Sequence, residues 1–318
     1  MFEATSIHDA DFDKIILKDV TANTSVEIIP GCGAILHAFT IIHNDALLNV
    51  IDSYENTADF KNNVTAKGFK SCKLSPFVCR IKSATYNFGE KQYTTEKFLL
   101  NGNALHGLLY DAVFTVKEKW TDANNACVVL EHQYNATENG YPFKYTCTVT
   151  YLLKKENVLN ITTTITNDDE GLIPVQDGWH PYFSFGGSID DLQLEFQSKE
   201  IVVFDEALIP TGELLPYQEF GSLKKIELTE FDNCFTVNFA ECQPMCVVRD
   251  AAQKIQVEIH PEKSYPYLQI YTPHHRKSIA IENLSGAPDA FNNGMGATVL
   301  SPGSSATFIT TYKITLLP

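Results

Sequence analysis

The sequence predicts an all-β protein, a large antiparallel β-sandwich. Three observations carry that expectation. Apolar and polar residues alternate at period two, no stretch has the spacing of a long amphipathic helix, and Asn, Asp, Gly and Pro separate the alternating runs at short intervals. Alternation marks a half-buried strand because successive side chains point to opposite faces of a sheet.

In chain order, the first alternating runs are residues 112–116 and 127–134. Over 143–151, Phe143, Tyr145, Cys147, Val149 and Tyr151 share one face, and Lys144, Thr146, Thr148 and Thr150 share the other. A turn at 155–157 leads into 158–167, where Leu159, Ile161, Thr163 and Ile165 alternate again. Further strands are expected at 192–196, 235–239, 255–259, 268–272, 278–281 and 307–316. Residues 206–221 form the most turn-rich stretch. No linker, low-complexity segment or fixed repeat divides the chain, so one domain over 1–318 is expected.

Composition narrows the function. The 24 Lys and Arg against 39 Asp and Glu leave a formal charge of −15, and the only arginines are Arg80, Arg249 and Arg276. A surface so poor in cations disfavours nucleic acid and anionic membranes as partners. The N-terminal segment does not read as a signal peptide, and no run approaches bilayer length, so the expected location is cytoplasmic. The eight cysteines lie among apolar neighbours without zinc-knuckle spacing and read as free, buried thiols. Nucleophile elbow, phosphate-binding glycine loop and paired-His zinc motif are all missing, so neither metal nor cofactor is expected.

Several residues remain as candidates for chemistry. His106 lies between Gly102 and Gly107, where backbone can approach a ligand. His180 sits among Trp179, Tyr182 and Phe183 beside Pro181. It reads either as a buried structural histidine or as a titratable group in an aromatic-walled pocket. Glu282 closes a short strand beside small and apolar residues, where desolvation would raise its pKa; the other reading is a solvent-facing strand residue. Asp232 stands either in a site or in a plain turn. Arg80, embedded in an apolar stretch, needs a ligand or an ion-pair partner. Gln269 shares a strand face with Tyr267 and Tyr271 and has hydrogen bonds to give. The adjacent His274 and His275 point to opposite faces if extended, so they read as solvated loop rather than a metal pair.

In order, PFVCRI around Arg80, NGNALHG around His106, GWHPYF around His180, FDNCF around Asp232, LQIYTP around Gln269, AIENLSGAPDAFNNG around Glu282 and the closing LSPGSSATF resemble the aldose 1-epimerase (galactose mutarotase) family. The resemblance covers most of the chain and implies that family's supersandwich fold. It implies Glu282 as general base, His180 as general acid, His106 as a second histidine near the ring oxygen, and Arg80, Asp232 and Gln269 as ligands of sugar hydroxyls. Trp179, Pro181, Cys79 and Leu108 depart from the commoner pattern and mark a divergent branch.

The implied reaction exchanges anomers by opening and reclosing a cyclic aldose, with a base and an acid on opposite sides of the reacting bond. The expected partner is a small aldose, and a monomer or weak homodimer the expected assembly. A non-catalytic sugar-binding or sensing protein, a glycoside hydrolase using Glu282 and Asp232, and a hexose-6-phosphate 1-epimerase stay open as alternatives.

Overall fold

The computed structural model describes residues 1–318 and is all-β, with two antiparallel nine-stranded sheets at its centre. One sheet runs in the spatial order Thr115–Thr121, Asn125–Asn135, Lys144–Lys154, Val158–Asn167, Ser305–Leu316, Ile255–Pro261, Cys246–Asp250, Gln193–Phe196 and Lys224–Lys225. Its long strands follow the predicted alternation: every second residue of Lys144–Lys154 and Val158–Asn167 is buried. The second sheet, which carries the site, is ordered Pro210–Pro216, Ser198–Phe204, Asp232–Val237, Tyr267–Tyr271, Ile279–Leu284, Gly178–Trp179 and Lys73–Leu74. Tyr182–Phe183 and Ile51–Asp52 branch from it beside Ile279–Leu284.

Tyr151 meets Trp179 at 6.0 Å between ring centroids, and Phe183 meets Tyr312 at 5.5 Å, so side chains of the two sheets interdigitate. They belong to one apolar core of 61 buried residues, the burial that chiefly drives the fold. All eight cysteines are free and seven are buried, leaving Cys242 exposed. No helix is long and apolar enough to cross a membrane.

The structure departs from the sequence expectations in four places. A further five-stranded antiparallel sheet, Phe2–His8 through Ala46–Asn49, precedes the first predicted strand. Ala112 and Phe114 lie in a loop, and the strand there is Thr115–Thr121, exposed along its whole length at a sheet edge. The turn-rich 206–221 includes the strand Pro210–Pro216, paired with Ser198–Phe204. The strand expected to stop at Ile281 continues to Leu284, and all six of its residues are buried, so Glu282 lies inside it rather than at its end.

Non-glycine residues with positive φ include Phe69 (56°), Ser71 (56°), Cys79 (46°) and His106 (62°). Each such conformation costs on the order of 1–3 kcal/mol and persists only where the surroundings enforce it. Ser71 donates its N–H to the His180 carbonyl at 2.8 Å, while its buried hydroxyl has no partner. Ser71→Gly keeps that backbone bond and removes both penalties. It is expected to stabilise the protein by about 1 kcal/mol, after the extra chain entropy of glycine is subtracted. An increased denaturant midpoint is the readout, and a decrease would contradict the strain argument.

Candidate active site

Arg80, His106, His180, Asp232, Gln269 and Glu282 all line one cavity of about 320 Å³. The sheet order explains how such distant residues meet. Glu282 stands opposite Gln269 across neighbouring strands, and Asp232 stands opposite Tyr271 one strand further on. Asp232 begins the strand Asp232–Val237 rather than forming a turn, and its Oδ1 accepts from Gln269 Nε2 at 2.9 Å. On the other side, Gly178–Trp179 and Tyr182–Phe183 both pair with the Glu282 strand, which sets His180 between them beside Glu282. Leu105 pairs with Arg80, and His106 donates its N–H to the Cys79 carbonyl at 2.8 Å, closing the far wall.

Gly107 has a different role from the one expected. Its φ is 75°, and an added Cβ would lie 2.4 Å from the Ser75 carbonyl oxygen. It therefore lets two backbone segments touch under the site, while Gly102 stands in open space. Arg80 takes part in no structural ion pair. It faces the cavity, and its charge acts on Asp232 and Glu282 through space.

His180 Nε2 lies 3.3 Å from Glu282 Oε1, with both residues almost fully buried. The two groups are therefore side by side at the cavity wall. His180 stacks on Tyr182 with ring centroids 5.1 Å apart, and His106 meets it edge-on at 5.0 Å while resting on Phe69 at 4.7 Å. These contacts fix both imidazoles. Burial pushes the Glu282 carboxyl far above the usual carboxylate range; the Asp232 charge adds to the rise and Arg80 opposes it. Burial lowers His180 to about 3, and lowers His106 well below the ordinary imidazole value with help from His180 and Arg80. Asp232 is raised by burial against the pull of Arg80.

Four buried polar atoms here have no protein partner: His106 Nδ1, His180 Nδ1, Gln269 Oε1 and Glu282 Oε2. Native proteins rarely leave buried polar groups unpaired, so their gathering marks a place built for function. Cys79, His106 and Glu282 also bring one ligand atom each within 4.8 Å of one another. The donor types suit zinc, but the Arg80 charge nearby and the burial-raised Cys79 thiol both work against a bound cation.

Sequence reasoning missed the supports of this site. Lys73 and Asp177 are fully buried and paired at 2.5 Å. Lys73 also donates to the Gly178 carbonyl at 3.0 Å and lies 4.3 Å over the Trp179 ring, while Tyr265 donates to Asp177 Oδ2 at 2.5 Å. The Asp177 N–H donates to Ser285 Oγ, and the Ser285 N–H returns to the Asp177 carbonyl, each at 2.8 Å. This network ties the His180 segment to the Glu282 strand. A lone lysine outside any expected strand carries no sequence signal of burial. Phe69, Phe98 and Leu105, which wall the cavity, were equally silent.

Comparison with known proteins agrees with the architecture. The family model described as aldose 1-epimerase matches residues 14–313. The maltose epimerase of Levilactobacillus brevis is 24% identical over 281 residues, 82% of this chain and 80% of that protein. The galactose mutarotase of Sus scrofa is 28% identical over 206 residues, 61% of this chain and 56% of that one. Among solved structures, a galactose mutarotase-like protein from Clostridium acetobutylicum superposes with a TM-score of 0.86 at 18% identity, covering 100% of this chain and 99% of that chain. The galactose 1-epimerase of Lactobacillus acidophilus does so with a TM-score of 0.82 at 18% identity and the same coverage.

Proposed function

The chain belongs to the aldose 1-epimerase family, a family of isomerases acting on sugars, and from that premise we propose that it interconverts the α and β anomers of a free hexose such as glucose or galactose. The observation that carries this reading is the 3.3 Å contact between His180 Nε2 and Glu282 Oε1 in the cavity. Ring opening removes the proton of the anomeric hydroxyl and adds one to the ring oxygen. Those two oxygens are bonded to the same carbon and lie close together, so adjacent catalytic groups match them better than groups on opposite sides.

Glu282 takes the proton from the hydroxyl as His180 gives one to the ring oxygen. After rotation about C1–C2 the roles reverse and the ring closes on the other carbonyl face. The pKa directions imply that the pair holds one proton between them: Glu282 is raised and His180 is lowered, so the pair is neutral in total. Moving that proton from Glu282 to His180 arms the base and the acid together, without exchange with solvent. Arg80, His106, Asp232 and Gln269 supply hydrogen bonds to the remaining oxygens. Arg80 is the only Lys or Arg lining the cavity, which favours a neutral hexose over a phosphorylated one.

Two outcomes test this reading. Polarimetry of freshly dissolved α-glucose and α-galactose should show catalysed anomer exchange, and no acceleration would leave only a binding role. In addition, kcat/KM should change less than about twofold between pH 7 and pH 5. Inactivation by acid requires a second proton on the pair, at His180, whose value is about 3. An inflection between pH 6 and 7 would show instead an independently titrating imidazole.

A further inference from the structure

We infer that the buried ion pair of Lys73 with Asp177 positions the catalytic pair. It holds the backbone leading into His180 against the Glu282 strand, and so keeps His180 Nε2 within reach of Glu282 Oε1. This rests on the reading above, in which those two side chains exchange protons with the sugar.

His180 lies on a segment with little regular structure of its own. Gly178–Trp179 and Tyr182–Phe183 are two-residue strands, and Pro181 between them has no N–H to donate. The His180 N–H donates to the Cys72 carbonyl at 3.2 Å, the long end of the usual range. Side chains supply the rest. Lys73 stands opposite Trp179 on the neighbouring strand. Its ammonium meets the Asp177 carboxylate at 2.5 Å, the Gly178 carbonyl at 3.0 Å and the Trp179 ring at 4.3 Å, all in the residues that lead to His180. An ammonium has only three N–H groups, so its bonding is directed to this one segment.

Asp177 carries the constraint to the other side. Its Oδ2 accepts from Tyr265, and its backbone N–H and carbonyl both bond Ser285, just beyond the Glu282 strand. Gly178 then touches that strand directly. An added Cβ would lie 2.7 Å from Leu284 Cδ2 and 3.2 Å from the Asn283 carbonyl oxygen.

Stability alone does not call for a charged pair here. Taking two ions out of water is costly, and uncharged side chains of similar volume often replace such a pair without loss. What they lack is direction. An ammonium set between a carboxylate, a carbonyl and an indole face allows the backbone one arrangement, and a misplacement of about 1 Å can slow a positioned reaction on the order of 100-fold. Neither Lys73 nor Asp177 lines the cavity, so their influence reaches the sugar only through His180 and Glu282.

The double variant Lys73→Met with Asp177→Asn leaves no buried charge and separates position from stability. Its kcat for anomer exchange should fall about 100-fold, with KM within about threefold of wild type and the denaturant midpoint largely kept. Its kcat/KM should also gain an inflection between pH 5 and pH 7 that wild type lacks. A His180 no longer held against Glu282 is open to water and returns toward the ordinary imidazole value, so activity is lost as the pH falls through it. Nitrogen-15 NMR of the His180 ring should show the same titration directly. Wild-type kcat with a flat profile overturns the inference, as does a KM that rises as far as kcat falls. If the double variant does not fold, Tyr265→Phe frees one Asp177 oxygen and keeps the ion pair. It should lower kcat about tenfold at unchanged KM, and an unchanged kcat there overturns the inference. Should wild type accelerate no sugar, the proposed activity is at fault, and the NMR titration decides alone: a His180 ring that titrates only in the variant supports the positioning role, and one that titrates alike in both proteins overturns it.

Discussion

Glu282→Gln is expected to slow anomer exchange by about 100- to 10,000-fold, the usual range for a positioned proton-transfer group. The substitution preserves shape at a site where the side chain is only 2% exposed, so packing is largely kept. The amide can neither accept the anomeric hydroxyl proton nor share one with His180. KM should move little, because what is lost is proton transfer rather than hydroxyl contacts. His180→Asn should give a loss of similar size from the other half of the pair. Polarimetry on freshly dissolved α-glucose reads both variants, and near wild-type rates in the two would end the assignment of roles. Unchanged sugar binding by calorimetry alongside lost turnover would separate catalysis from simple recognition.

Lys73→Ala is expected to have the largest effect on stability, a loss of about 3–5 kcal/mol, because it leaves Asp177 buried without its counter-charge. Burial already raises the Asp177 carboxyl against the pull of Lys73. Uptake of a proton by Asp177 therefore limits the loss rather than removing it. A neutral replacement of both partners, Lys73→Met with Asp177→Asn, should recover most of the difference, since no buried charge is left unpaired. Denaturant midpoints of the single and double variants test this. A single variant within 1 kcal/mol of wild type would show that the pair does not hold these segments together.

The sequence revealed the strands where one face meets solvent and was silent where it does not. Val158–Asn167 alternates between buried and half-buried residues, so its period could be read directly. Ile279–Leu284 is buried on both faces, which removes the alternation and made its end, and thus the setting of Glu282, illegible. Thr115–Thr121 failed in the opposite way: every residue is exposed at an edge, and the apolar Ala112 and Phe114 before it belong to a loop. The six site residues were picked individually by odd company, an arginine in an apolar run or a histidine among aromatic rings. Their convergence came from the family resemblance, because nothing local encodes which strands pair. Lys73 could not have been found, since its burial depends on Asp177 and Trp179, which reach it only through tertiary structure.

The order of strands in the site sheet has a consequence for how the chain acquires activity. Residues from the first, middle and final thirds of the polypeptide stand in adjacent rows there, and each pairing closes a long loop whose entropy must be overcome before the contact gives anything back. Arg80 and His106 come from the first part of the chain, His180 from its middle, and Asp232, Gln269 and Glu282 from its last part. Recovery of turnover during refolding should therefore lag behind recovery of strand content, and a synthesis arrested before Glu282 would lack both the base and Ser305–Leu316, the strand that joins the two halves of the first sheet.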